Sequence, residues 1–317
     1  MPMNTSLLHV YTRSLLLLFC WLWCGNSHAQ VTDTTGMNEL LQVLNESQSS
    51  SVSKKEYTTA TFKTTRIANG HSIEQVAQGV LDFRINHRFG KINDGISEFF
   101  GLDNATTRIG FDYGVTEALM VGIGRSTFFK EIDGFLKLRL LRQQEPAGVP
   151  VGISYLGSAS VLTGPAPVDP ANTYDFSNRL AYVNQLLIAR KFNSNLSLQL
   201  MPTHIHYNLV QFRDEPNDIF ALGMGGRQKI TKRISLTAEY YLILPNNNRL
   251  RGTHNALTVG LDIETGGHVF QLLFSNATGI SERMGIGQST GQWQKGDIHF
   301  GFNISRVFTV VKPKAFR

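Results

Sequence analysis

Apolar and polar residues alternate along the chain from Gly79 almost to its carboxyl end, in segments of about ten residues. Successive side chains of a β-strand point to opposite faces, so this period of two predicts strands with one apolar and one polar face. The first segment, for example, places Leu81 and Phe83 on one face and Asp82 and Arg84 on the other. Strands with a lipid-facing side and a lumen-facing side are typical of transmembrane β-barrels.

About twelve such segments are present, and two in the middle of the chain are less regular than the rest. In residues 180–192, Asn184 and Arg190 interrupt one apolar face, and residues 196–209 contain Pro202. A β-bulge at Pro202 would let the apolar face change sides. The pattern as a whole predicts an all-β fold: an antiparallel, up-and-down transmembrane β-barrel of about twelve strands, within a range of about 12–14.

The connections between these segments are predicted to alternate in length. Short connections fall at residues 114–117, 143–150, 193–195, 231–233 and 265–267, and longer ones at residues 91–104, 128–133, 164–178, 211–217, 245–255 and 277–296. Outer-membrane barrels have short periplasmic turns and long external loops, a rhythm that a soluble β-sandwich does not need. An even number of strands also predicts that both termini face the periplasm.

The chain before Gly79 differs in character from the rest. Arg13, the apolar stretch that follows it and the small residues before a cut after Ala29 are typical of a signal peptide. The sequence therefore divides into a signal peptide (1–29), a polar tether with a short helix (30–57), an extended segment that is either an extra strand or a lumen plug (58–78), the barrel (79–309) and a basic tail (310–317). The segment between signal peptide and barrel is expected to be periplasmic or lumenal.

Composition agrees with a barrel and narrows the partners. With 42% hydrophobic residues and a mean hydropathy of −0.11, the chain suits neither a bundle of membrane helices nor a disordered protein. Cys20 and Cys24 both precede the predicted cut, so we expect an exported chain without disulfides. The net charge is +6, but the basic residues are dispersed, and nucleic acid is not an expected partner. Outer-membrane lipid is expected, a periplasmic protein is a candidate partner, and the oligomeric state stays open.

The polar face of the strands is rich in charge and is the predicted lining of the lumen. Its basic members are Arg84, Arg88, Arg108, Lys137, Arg139, Arg227 and Lys229; its acidic members are Asp82, Asp112, Glu239, Asp262 and Glu264; His299 is a further lumen candidate. Opposite charges here would neutralise each other, whereas a modest surplus of cations would favour anions. The leading interpretation is a small passive channel, or transport-related barrel, for small polar or anionic solutes.

Two groups of residues invite other chemistry. His204 and His206 are two positions apart on a strand, so both imidazoles point to one side, which would be the lumen if Pro202 forms a bulge. They are weak candidates for metal ligands, and neither a metal nor a cofactor is predicted. The pair His71 and Ser72 suggests a hydrolase, but adjacent side chains on an extended chain point apart.

The stretch Thr61 to Ser72, followed by Gly79-Val80-Leu81 and His87-Arg88-Phe89-Gly90, resembles a bacterial family of predicted outer-membrane β-barrels known only as a domain of unknown function. Residues 99–103, 121–126 and 133–137 are similar to that family as well. The resemblance extends from about Tyr57 to the carboxyl end. It implies a barrel in the outer membrane, and it assigns no activity and no catalytic residue.

Two rival functions remain beside the channel. A closed barrel could serve as a structural or binding partner of periplasmic proteins, using its amino-terminal tether. The other rival is a hydrolase embedded in the barrel. A channel is expected to conduct ions, a closed barrel is not, and an enzyme is expected to lose turnover when His71, His204 or His206 is replaced.

Overall fold

The computed structural model describes residues 56–145, 148–165, 174–245, 248–266 and 268–312. The predicted signal peptide, nearly all of the predicted tether and the end of the basic tail lie outside these described residues. The barrel and the segment that precedes it, residues 58–78, lie within them.

Twelve antiparallel strands form a closed barrel. In chain order they are β1 (Val80–Lys91), β2 (Ala105–Gly114), β3 (Leu119–Ser126), β4 (Glu131–Leu141), β5 (Gly152–Leu162), β6 (Leu180–Lys191), β7 (Leu196–Tyr207), β8 (Asp218–Lys229), β9 (Ile234–Ile243), β10 (Ala256–Thr265), β11 (His268–Ser275) and β12 (His299–Thr309). Each strand pairs with its neighbours in sequence, and β12 pairs with β1 to close the barrel. This closed, twelve-stranded antiparallel barrel confirms the predicted fold class. Because the barrel is closed, no strand edge is left unpaired in lipid.

Side chains follow the predicted alternation on most strands. Outward apolar residues such as Phe111, Ile123 and Phe274 are about half exposed, as expected for a surface that lipid covers. Inward residues of the same strands, such as Asp112 and Ser275, are buried. The hydrophobic surface of this protein is therefore largely on its outside, and its polar side chains are concentrated within.

The connections mark two ends of the barrel. The two chain termini of the barrel lie at one end with the turns 115–118, 192–195 and 230–233, and we call this the terminal end; the opposite, loop end carries residues 92–104, 163–179, 208–217, 244–255 and 276–298. By the usual orientation the terminal end faces the periplasm and the loop end faces outward.

Two connections depart from the predicted lengths. The loop expected at residues 128–133 is a tight turn, because β4 already begins at Glu131 and both Phe129 and Lys130 have positive φ. The connection between β4 and β5 is the longest at the terminal end, and its residues Gln144–Glu145 pair with the two-residue strand Glu56–Tyr57.

The predicted bulge at Pro202 is wrong. Strand β7 pairs with β8 in one continuous register through Pro202, which faces outward together with Leu198, Leu200 and His204. The inward face of β7 includes Met201, Ile205 and Tyr207, and that of β6 includes Val183 and Leu187. The alternation seemed irregular because the inward face of these strands is itself apolar.

The barrel interior consequently has two unlike sides. Its apolar wall is formed mainly by β6 to β9, with the inward residues Ala181, Val183, Leu187, Ala189, Met201, Ile205, Tyr207, Ile219, Ala221, Tyr241 and Ile243. Its polar wall is formed by β1 to β4 and β10 to β12 and carries most of the buried charged residues, although Arg227 of β8 and Glu239 of β9 are also buried on the inner face. Among the described residues, no helix is both long enough and apolar enough to cross a membrane.

Candidate functional site

A short hairpin occupies the lumen. We call residues 61–76 the lumen hairpin. Arg66 and His71 form an isolated antiparallel bridge, the Ile67 N–H donates to the Gly70 carbonyl (2.9 Å), and the Ser72 N–H donates to the Thr65 carbonyl (3.0 Å). The turn between these two arms is inaccessible to solvent, with Ile67 at 0% exposure. A segment of the chain's own amino-terminal region thus fills the middle of the barrel.

Glu239 holds the turn of the hairpin. Its carboxylate, on β9, accepts backbone N–H groups from Ala68 (3.3 Å), Asn69 (2.8 Å) and Gly70 (3.1 Å). Three consecutive amides around one carboxylate resemble the backbone concavities that bind anions. Gly70 is required by this approach, because a Cβ there would overlap the hydroxyl of Tyr241.

Basic residues of the polar wall donate to the hairpin as well. Arg88 donates to the Asn69 side chain (2.5 Å), and Arg84 donates to the Thr65 hydroxyl (2.9 Å). The Lys137 ammonium donates to the carbonyls of Ser72 (3.0 Å) and Glu74 (2.7 Å). These are charge-assisted hydrogen bonds, which are stronger than neutral ones.

The other side of the hairpin is apolar and matches the apolar wall. Phe62, Ile67 and Ile73 belong to the same buried cluster as the wall residues of β6 to β9. The hairpin is therefore amphipathic across its width, with its apolar side chains on one wall and its backbone polar groups on the other.

A second segment enters the lumen from the loop end. Residues 276–298, the external segment, contain a short helix, α1 (Glu282–Gly287), whose residues are all buried. Ser281 caps this helix by accepting from the Met284 N–H (3.3 Å) and donates to Glu131 of the polar wall (2.7 Å). The first residue of α1, Glu282, contacts the hairpin directly.

Glu282 links the external segment to the hairpin. Its carboxylate lies 2.7 Å from the Arg66 guanidinium and 3.4 Å from His71 Nε2, and all three side chains are at least nine-tenths buried. The His71 ring packs edge-on against Phe135 at 4.5 Å. Burial, and then the cationic neighbours Arg66 and Lys137, hold the pKa of His71 well below its usual range, so the imidazole is neutral.

Several buried atoms of the polar wall have no hydrogen-bond partner within the described residues. They are Asp82 Oδ1, Arg84 Nε and Nη1, Asn86 Oδ1, Arg88 Nε and Asp112 Oδ1. Buried polar groups without protein partners are normally satisfied by water. The polar wall beside the hairpin therefore has hydrogen-bonding capacity that its described protein neighbours do not use.

The sequence-predicted lumen residues occupy the following places. Arg84, Arg88, Arg108, Asp112, Lys137, Arg227, Glu239, Asp262 and His299 are buried on the inner face, and Asp82 lies with them. Arg139, Lys229 and Glu264 are partly exposed near the terminal end, where Arg139 donates to the Glu117 carbonyl (2.7 Å) and Glu264 pairs with Lys63 (2.7 Å).

The two weak metal candidates lie elsewhere. Because β7 keeps its register, His204 and His206 face outward near the loop end and not into the lumen, which corrects the prediction that rested on the bulge. His204 Nε2 and His206 Nδ1 each lie 2.8 Å from the same oxygen of Asp218, so one carboxylate joins the two imidazoles by hydrogen bonds.

The neighbouring pair His71 and Ser72 is not arranged as a base and a nucleophile. The Ser72 hydroxyl donates to the Thr64 carbonyl (2.5 Å), whereas the His71 ring lies between Phe135 and Glu282. Both residues instead belong to the arms of the lumen hairpin.

Sequence reasoning missed three of the charged residues that matter most here. The predicted loop at residues 128–133 includes Glu131 and Asp133, although they continue the alternation of Lys137 and lie on the inner face of β4. Extending that strand by parity would have found them. Glu282 had no comparable signal, because it lies in a long connection without periodicity.

Comparison with known proteins supplies the family. The model of a family described as a membrane bound beta barrel domain (DUF5777), a domain of unknown function, matches residues 62–308. No curated protein matches the chain.

Several solved structures have similar barrels. The NanC porin has a TM-score of 0.45 and 9% identity, with 73% of this chain and 100% of that chain covered. An outer membrane channel from Pseudomonas putida F1 has a TM-score of 0.43 and 11% identity, with 74% and 97% covered. The outer membrane protein Omp33 of Acinetobacter baumannii has a TM-score of 0.40 and 9% identity, with 74% and 100% covered.

The family match covers the lumen hairpin from residue 62 onward and the twelve barrel strands as far as residue 308. A membrane-bound β-barrel of this type resides in an outer membrane. The chain therefore belongs to the family described as the membrane bound beta barrel domain, and it is an outer-membrane β-barrel.

Proposed function

We propose that the protein is a gated channel for small solutes and that the lumen hairpin is its gate. The main observation in support is that one cavity opens at each end of the barrel. The hairpin turn and α1, which contact each other through Arg66 and Glu282, lie between the two cavities. The cavity at the terminal end has a volume of about 560 Å³ and lies between the hairpin and the polar wall, near Asp82 and Glu264. The cavity at the loop end has a volume of about 460 Å³.

The attachment of the hairpin supports a removable gate. Its turn is held by hydrogen bonds to charged side chains, and each of these groups can be hydrated in turn when the hairpin leaves. The barrel itself is closed by pairing between its own strands and uses no hairpin residue for closure. Withdrawal of residues 61–76 would remove the hairpin from between the two cavities and open the polar wall to water, with only α1 of the external segment left between them.

The charge of the solute follows from the balance of charges on the inner face. The sequence indicated a cationic surplus and hence anionic solutes. Glu131 and Asp133 add two acidic groups to the inner face, and these offset the surplus. We therefore propose small polar solutes of either charge sign.

The gate can be tested by locking it. A Cβ at Gly152, at the start of β5, would lie 3.4 Å from Ile73 Cγ1, so Ile73→Cys with Gly152→Cys brings two thiols within reach of a disulfide. The mature chain predicted here has no other cysteine. We expect single-channel conductance in a planar bilayer to be abolished by oxidation and restored by a reductant.

The controls decide between functions. Each single cysteine variant should conduct independently of redox conditions. Conductance that is equal in the oxidised and reduced double variant would refute the gate. Silence of the wild type, the reduced variant and a chain lacking residues 30–76 would favour the second candidate.

That second candidate is a permanently closed barrel that binds periplasmic proteins. The observation in its favour is the complete burial of Ile67, Ala68 and His71, which makes the hairpin resemble a structural core. The chain leaves the barrel at the terminal end through Glu56–Tyr57, on the side where a periplasmic partner would meet it.

A further inference from the structure

The loop end contains a cavity with the size of a small-molecule site. We call it the outer cavity; its volume is about 460 Å³, within the range of about 300–1,000 Å³ that is usual for ligand pockets. Its apolar lining includes Phe128, Phe129, Leu162, Leu209, Leu250 and Met284. The rings of Phe128 and Phe129 pack edge-on, with 4.6 Å between their centroids, and Phe129 is 58% exposed at the rim.

The floor of the outer cavity continues into the apolar wall of the lumen. Tyr207 and Leu250 line the cavity and also belong to the buried cluster that contains Ile67 of the hairpin. Val210 lines the cavity and packs against the same cluster. The apolar lining of the outer cavity is therefore continuous with the buried cluster that contains Ile67 of the hairpin.

The charged groups at the rim are already paired. Arg251 donates to Asp214 (2.5 Å), and this hydrogen bond holds the pKa of the Asp214 carboxyl below its usual range. Glu215 accepts the N–H groups of Phe212 (3.1 Å) and Arg251 (2.8 Å). The two charged residues of the lining, Glu215 and Arg251, have opposite signs and already have these partners, while Gln211, Gln288 and Thr290 in the lining offer neutral hydrogen-bonding groups.

We propose that the outer cavity is a binding site for a small uncharged amphiphile, with an apolar aromatic or aliphatic body and one hydroxyl, amine or carbonyl group. The apolar body packs against the phenylalanines and Leu250, and the polar group faces the threonine and glutamine side chains. A charged solute would lose hydration without gaining a partner, so the site selects against it.

The position of the site also suggests how a ligand meets the gate. Met284 and Gln288 of the cavity lining lie on or next to α1, the helix whose Glu282 holds Arg66 of the hairpin. A role of the outer cavity as the entry point for transported solute rests on the channel function proposed above. Binding at the cavity does not depend on it.

The test measures binding of a defined probe to the full-length barrel. N-phenyl-1-naphthylamine is uncharged, has two aromatic groups and one N–H, and its fluorescence rises in apolar surroundings. The barrel is exchanged from detergent into an amphipol so that micelles do not compete. Thr290→Trp fills the cavity from its exposed rim, and Thr59→Trp adds the same side chain at an exposed position of the terminal end.

We expect saturable binding to the wild type and to Thr59→Trp, and a loss of affinity of at least about tenfold for Thr290→Trp. Equal affinity in the two variants, or the absence of saturable binding in the wild type, overturns the proposal. The disulfide-locked barrel distinguishes the two proposals. If the locked and unlocked forms conduct alike and the probe still binds, the gate is refuted and the binding site is supported.

Discussion

At the scale of residues, the hairpin is held by a small number of buried polar groups whose geometry is exacting. Glu239 satisfies three consecutive backbone donors, and an isolated buried carboxylate without such donors would be costly. Loss of either the carboxylate or the hairpin turn would therefore leave buried hydrogen-bonding groups of the other without partners. Substitutions at this contact should act on the docking of the hairpin and leave the pairing of the strands intact.

We expect Glu239→Gln to release the hairpin more often. The amide keeps one acceptor oxygen and places N–H groups against backbone donors, and hydrogen bonds to charged groups contribute about 1.5–3 kcal/mol each. The rate of thiol labelling at Ile73→Cys, introduced in both backgrounds, should rise roughly 10- to 100-fold. Glu264→Gln is the matched control, because its partly exposed pair with Lys63 contributes at most about 1 kcal/mol. Equal labelling in the two variants would contradict this account.

Gly70→Ala should have a similar effect for a steric reason. The new methyl group would overlap the Tyr241 hydroxyl, and Tyr241 is buried and donates to Met201 Sδ (3.3 Å), so it has little room to move. Gly266→Ala is the control, because a Cβ there has open space around it. Proteolysis of the hairpin in proteoliposomes should be faster for Gly70→Ala alone; identical rates would mean that the turn adapts.

The gate should also respond to pH through His71. Its pKa is held well below 6.5 in the docked hairpin and returns towards 6.5 on release, so the released state binds the proton more tightly. Docking is therefore strongest above about pH 6.5 and weakens as the pH falls below it. The open probability of the wild type should rise between pH 7.5 and pH 5, and His71→Gln should flatten that response. An unchanged pH response in His71→Gln would exclude this residue as the cause.

At the scale of elements, the strands were predictable, whereas for residues 58–78 the sequence left an extra strand and a lumen plug open. The alternation of apolar and polar residues identified the outward residues of β1 to β5 and β8 to β12. The outer surface of these strands faces lipid and is apolar, while their inward residues are mostly polar. The alternation failed on β6 and β7, where the inward face packs against Phe62, Ile67 and Ile73 and is apolar as well. The hairpin has no period of its own, and its place in the lumen depends on partners far away in sequence, such as Glu239 and Glu282.

The contact between the hairpin and α1 is the clearest link between elements. Removing one partner of a buried ion pair costs about 3–5 kcal/mol, because the other charge stays buried without compensation. Arg66→Gln and Glu282→Gln should each accelerate labelling of the Ile73→Cys reporter strongly, and the double variant should be less affected than the sum of the two. Strict additivity of the free energies would show that the Arg66 to Glu282 contact of 2.7 Å carries no coupling.

At the scale of the whole molecule, the lumen hairpin and the external segment meet inside the barrel. The hairpin enters from the terminal end, the external segment enters from the loop end, and the strands provide a polar and an apolar wall for both. The twelve barrel strands pair only with one another, within residues 80–309, so under the proposed function the barrel stays folded when the hairpin moves. Removal of the hairpin should therefore preserve the heat-modifiable mobility of the barrel on a gel.

The barrel without residues 30–76 gives the most direct view of its selectivity. Charged residues of both signs are buried on the inner face of the described strands. The acidic ones are Asp82, Asp112, Glu131, Asp133, Glu239 and Asp262, and the basic ones are Arg84, Arg88, Arg108, Lys137 and Arg227. With the two signs nearly balanced, the reversal potential in a salt gradient should lie near zero. Asp262→Asn should shift it towards anion selectivity and Arg227→Gln towards cation selectivity, since both residues line the inner face. A strong anion selectivity of the truncated barrel, insensitive to both substitutions, would mean that residues beyond this buried wall set the field along the path.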